Sequence, residues 1–92
     1  MLIQSQDRER LIVFSNVICI YIASKLDDKG KGYVTDDSPV IGYLIKARAV
    51  NESVELGEYN MKETALDIIA KIKDYYAETT TGNYFKAVFE MP

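Results

Sequence analysis

The densest run of groups able to do chemistry is DDKGKGYVTDDSP, residues 27–39, where four aspartates stand among two glycines and a proline. Carboxylates at alternate positions around a sharp glycine turn are what a calcium loop requires. With Gly32 as the sixth position of such a loop, Asp27 falls at the first and Val34 at the eighth. Lys29 and Lys31 then stand at the third and fifth, where oxygen ligands are needed, and Ser38 stands where a bidentate glutamate should close the site. The run therefore reads as a solvated hairpin loop, with weak cation binding by Asp27, Asp28, Asp36 and Asp37 as the alternative.

Enzymatic constellations are hard to assemble. The chain has no histidine, so the usual base near neutral pH and the commonest transition-metal ligand are both missing. The single Cys19 lies in an apolar run without a neighbouring base, which predicts core packing, no internal disulfide and a reducing compartment. Glu52, Glu55 and Glu58 supply carboxylates, but on a regular strand Glu55 and Glu58 point to opposite faces and converge only across a bulge. The GKG at 30–32 precedes a strand pattern, not a helix N-terminus, so it makes no phosphate cradle. The expectation is a non-enzymatic protein without catalytic residues, metal site or cofactor.

Seven tyrosines and no tryptophan leave aromatic recognition as the remaining chemistry. Tyr75 and Tyr76 belong to a helical stripe and read first as core. Tyr21, Tyr33, Tyr43 and Tyr84, on or beside strand patterns, are the candidate interface residues, although strands also hold tyrosine for packing alone.

The element that positions the rest is an amphipathic helix from Asn60 to Glu78. Met61, Ala65, Leu66, Ile68, Ile69, Ile72, Tyr75 and Tyr76 recur three and four apart, and Asn60 with Glu63 fits a capping box. Before it, Leu2–Ser5 and Leu11–Phe14 read as a hairpin around Asp7–Arg10, and Ser15-Asn16 as a second turn. Val17 to Leu26 is apolar on both faces at its start, which predicts a central strand whose second face something must cover. Val40–Val50 and Val54–Tyr59 form another hairpin about residues 51–53, with Gly42 and Gly57 marking a bulge, a bend or a close backbone approach. After a stop at residues 79–83, Phe85, Ala87, Phe89 and Met91 alternate with Tyr84, Lys86, Val88 and Glu90, the period of a half-buried last strand.

The 92 residues suffice for one domain with one core. A net charge of −3 without a basic run gives little affinity for nucleic acid. The opening MLIQSQDRER lacks the pattern of a signal peptide, and the apolar run from Leu11 to Ala23 is too short to span about 30 Å of hydrocarbon. A cytoplasmic protein without membrane or nucleic-acid partners is expected.

The segments LIQSQDRERLIVFSNVICIYI, VELGEYNMKETALDIIAKIKDYY and FKAVFEMP together resemble a family of small uncharacterised proteins of Gram-positive bacteria and their phages or prophages. Ser5-Gln6-Asp7 matches its SQD-type turn, Phe14-Ser15-Asn16-Val17 its F-x-N-V strand and Leu56-Gly57-Glu58-Tyr59 its L-G-x-Y strand. Glu63 to Ile68 matches its E-x-A-x-x-I helix, and Glu90-Met91-Pro92 its terminal EMP. These are turn and packing signals, and the resemblance implies no activity, cofactor or catalytic residue.

The sequence thus predicts an α+β domain: a curled antiparallel sheet of five or six strands with the helix on one face and a final strand beside it. A pleckstrin-homology-like barrel capped by the helix is the alternative. The function expected is a small protein-interaction module, phage-related and self-associating as a homodimer. A small-molecule or cation site in the 27–37 loop or in a pocket between helix and sheet is the competing reading.

Overall fold

The computed structural model describes every residue except 1, 31, 34, 36 and 81–87, and residues 79 and 80 by their backbone alone. In order, the elements are β1 (Leu2–Gln4), β2 (Leu11–Val13), β3 (Val17–Leu26), β4 (Val40–Ala49), β5 (Ser53–Tyr59), α1 (Lys62–Thr80) and β6 (Val88–Glu90). The α+β class is as expected, but the strands divide into two three-stranded sheets, β2-β1-β6 and β3-β4-β5. Neither one curled sheet nor a barrel forms among the described residues.

The first sheet grows from the short hairpin at the start of the chain. Leu2, Ile3 and Gln4 pair antiparallel with Val13, Ile12 and Leu11. Its connection is built by the side chains of the SQD turn. The buried Ser5 hydroxyl donates to Asp7 Oδ1 (2.5 Å) and accepts the Arg10 N–H (3.2 Å), while Asp7 Oδ1 also takes the Glu9 N–H (3.0 Å). The left-handed turn needed at Arg8 (φ 63°) is held by its N–H donating to Ser5 O at 2.9 Å. β6 completes the sheet parallel to β1, with Phe89 beside Ile3, so the last strand is not antiparallel. Phe89 and Met91 are buried while Val88 and Glu90 are exposed, the alternation expected of that strand.

The second sheet is an antiparallel meander with three register shifts, at Ile18 on β3, at Ile41 on β4 and at Leu56-Gly57 on β5. Beyond Gly42, β4 alternates regularly: Ile45 and Ala47 point into the core and are sealed from solvent, while Lys46 and Arg48 point away. On β3 the register slips at Ile18, so Val17, Ile20 and Ile22 face inwards and Cys19 and Tyr21 lie outside opposite Arg48 and Lys46. This strand has the predicted limits but not the predicted place, because among the described residues it pairs only with β4 and is the sheet's edge. Cys19, expected in the core, is exposed. The slip and the polar neighbours on β4 resolve the puzzle of its two apolar faces, since one of them looks onto solvent between charged side chains.

The bulge on β5 falls at Leu56-Gly57, where Ile45 pairs with Gly57 and Lys46 already with Glu55. Parity changes there, so Val54, Leu56 and Tyr59 are all buried. Glu55 and Glu58 consequently share the outer face, which an unbroken strand would forbid.

The core lies between this meander, the first sheet and α1, whose Ala65, Ile68 and Ile72 are buried with Ile69 and Tyr75 at the margin. The buried stripe is narrower than the periodicity suggested: Met61, Leu66 and Tyr76 are exposed. The helix starts at Lys62, two residues beyond Asn60, so the proposed capping box does not sit at its first turn. Tyr75 donates to Val88 O at 2.8 Å and meets Phe89 edge-on at 5.3 Å, while Tyr76 stacks at a tilt on Phe14 at 4.8 Å. The end of α1 is thereby held between the approach to β3 and β6.

Candidate functional site

The candidate tyrosines do not converge. Tyr21 stands on the outer face of β3 beside Lys46, and Tyr43 is half-buried on the inner face of β4 opposite Tyr59. Tyr33 is exposed in the 27–39 loop, and Tyr84 lies outside the described residues. In that loop Asp27 and Asp28 each accept the N–H two residues on, from Lys29 (3.0 Å) and Gly30 (2.9 Å), so an oxygen of each carboxylate holds the turn. No group of three or more acidic, histidine or cysteine side chains is arranged to hold a metal ion among the described residues.

Two features stand out instead, both on the second sheet. The first is the contrast between its edges. Along β5, Gln6 acts as a neighbouring strand: its N–H donates to Leu56 O (2.7 Å), its side-chain oxygen accepts the Glu58 N–H (2.9 Å), and its amide nitrogen reaches Glu58 O (3.3 Å) and Pro92 O (3.0 Å). Tyr59 Oη donates to the same Pro92 oxygen at 2.9 Å. Burial pushes that phenol above its ordinary 10.0. Gly57 is a glycine because a Cβ there would lie 2.6 Å from Tyr59 Oη.

Among the described residues nothing comparable closes β3. Its ten residues carry no proline and one charge, Lys25, which is already engaged with Glu58 at 2.6 Å. That ion pair crosses β4 above Gly42, whose missing side chain leaves room for it. Glu58 first, with Glu55 farther off, raises the Lys25 ammonium above its usual range. β3 itself carries the half-buried Val17, Ile20 and Ile22 and the exposed Ile18, and α1, which packs against β3, carries the half-buried Ile69 and the exposed Leu66. Edge strands ordinarily carry charges, prolines or a cover that prevents further pairing.

The second feature is a cleft of about 430 Å³ where the SQD turn meets the outer side of the β4–β5 hairpin. One wall carries Gln6, Asp7 and Arg10, and the other Lys46, Ser53, Glu55, Leu56 and Gly57. Each wall thus presents one carboxylate and one cation. Of the two ion pairs among the described residues, neither involves Asp7, Arg10, Lys46 or Glu55. The hydrogen bond from Ser5, then that from the Glu9 N–H, and the nearby Arg10 hold the Asp7 carboxyl below the usual carboxylate range. None of these residues stood out in the sequence as a set; only the bulge that brings Glu55 and Glu58 onto one face had a visible sign, Gly57.

No family model, curated protein or solved structure matches the chain. Among the described residues no helix is long and apolar enough to cross a membrane.

Proposed function

We propose that this chain is a non-enzymatic interaction module, cytoplasmic and of the phage-related kind its motifs resemble, which self-associates by pairing β3 of two copies. The observation that carries the reading is the open, ten-residue apolar edge of β3. An antiparallel pair of identical strands is two-fold symmetric, so one surface serves both subunits and the meander becomes a six-stranded sheet. Lys25 near one end of each strand then lies far from its counterpart, which avoids like-charge contact. Ile18, Leu66 and Ile69 supply the apolar flank. A strip the length of β3 and two layers deep offers roughly 700 Å² per subunit, from about 3.4 Å per residue and about 10 Å per layer. Standard interfaces bury about 800 Å² per partner.

Light scattering over a dilution series tests this. The unmodified chain is expected at twice its monomer mass, and Ile18→Lys or Leu66→Lys, both at exposed positions, at one. A single-chain mass at every concentration would end the proposal.

A further inference from the structure

We infer that the cleft between the SQD turn and β4–β5 is a binding site for a small zwitterion of dipeptide size, which takes the ligand's ammonium at Asp7 and Glu55 and its carboxylate at Arg10 and Lys46. The inference is independent of self-association, since the cleft lies by β5 and the pairing edge is β3.

Charge selects the ligand class by elimination. A simple anion would meet Arg10 and Lys46 but be opposed by two carboxylates in the same cleft. A metal cation would find two carboxylates and two competing positive charges, short of the six to eight oxygens that calcium prefers. A molecule with one group of each sign satisfies both walls. The volume of about 430 Å³ falls within the roughly 300–1,000 Å³ usual for small-molecule sites, and two extended residues span about 7 Å.

The backbone points to a peptide in particular. The β4–β5 turn is closed by the Ala49 N–H donating to Glu52 O at 2.8 Å. Counting from that pair, the antiparallel alternation turns the backbone groups of Ser53 and Glu55 away from β4 and towards the cleft. Gln6 occupies the neighbouring-strand position from Leu56 to Glu58 and stops there. An extended dipeptide would continue that line past Ser53 and Glu55, adding main-chain hydrogen bonds to its two charged ends. The turn wall is already fixed by the Ser5–Asp7–Arg10 hydrogen bonds, so little ordering opposes binding.

Glycylglycine titrated into the isotope-labelled full chain provides the test, read from amide shifts in NMR. Saturable shifts confined to residues 6–10 and 53–57 are expected, with acetate and methylamine each binding more weakly than the dipeptide. Arg10→Gln and Glu55→Gln should each weaken binding about tenfold, equivalent to about 1.4 kcal/mol. Both side chains are exposed, and Lys46→Gln gives a third variant that spares the turn. Absence of saturation at any of these amides, acetate binding as tightly as glycylglycine, or three variants that bind like the unmodified chain would each overturn the site.

Discussion

The two edges of the β3-β4-β5 sheet meet the same physical problem and treat it in opposite ways. β5 has Gln6 across its backbone groups and Pro92 tied to both Gln6 and Tyr59. β3 has a longer row of backbone groups, apolar flanks and no cover among the described residues. One glutamine amide carries a donor and an acceptor in the arrangement of a peptide bond, so it can imitate a strand where only a short stretch needs closing. Ten residues are beyond the reach of such a device, and an edge of that length needs charges, proline, a bulge or a covering element along it to prevent further pairing.

Substitutions at Gly57, Gln6, Tyr59 and the Lys25–Glu58 pair sharpen the comparison. Gly57→Ala should act most strongly, because its new Cβ would meet Tyr59 Oη at 2.6 Å and push the ring off Pro92. A loss of about 1–3 kcal/mol in urea unfolding is expected from overpacking of this kind. Gln6→Ala comes next, at about 1–2 kcal/mol, since it removes three hydrogen bonds, from the Glu58 N–H and to Glu58 O and Pro92 O, the last of which keeps Tyr59 as a donor. Hydrogen exchange at the Glu58 amide should speed up, whereas Gln6→Glu keeps the acceptor and should preserve its protection. If Gln6→Ala left that amide protected, the closed-edge picture of β5 would fail.

Tyr59→Phe should cost about 1 kcal/mol, the worth of one hydrogen bond. It should also alter the alkaline limb of the stability curve. Because the folded phenol titrates above 10.0, the unfolded chain loses its proton first. The contribution is complete below pH 10.0 and is lost as the pH rises through the folded value, so the variant should show a shallower alkaline decline. The smallest effect belongs to Lys25 and Glu58, an exposed pair whose coupling in a double-mutant cycle should be slight and fall further with salt. A large, salt-resistant coupling would mean that β3 is braced from the β5 side.

How much of this was legible follows from how far apart the interacting residues lie. Val17–Leu26 and the helix could be placed because their signals are local, in β-branched runs and in apolar residues three and four apart. The edge position of β3 is a statement about which strands pair, and nothing within the strand encodes it. Gly57 was visible as a candidate bulge, yet the shared face of Glu55 and Glu58 depends on the register against β4. Gln6 is an ordinary turn residue by sequence, and its partners stand 52 and 86 residues away. Arg10 and Lys46 likewise come from separate segments, so their cleft exists only in the folded chain.

The bulge at Leu56-Gly57 also makes β5 a strand with two reading frames. Before it, even-numbered residues face the core; after it, odd-numbered ones do. Losing the single codon of Leu56 would merge the frames into one unbroken alternation. Glu55 would still stand against Lys46 and Gly57 against Ile45, so Val54 and Tyr59 stay inward and Glu55 and Glu58 outward, and the cost is the lost burial of Leu56. The bulge is therefore the point at which β5 can change its length without exchanging its two faces.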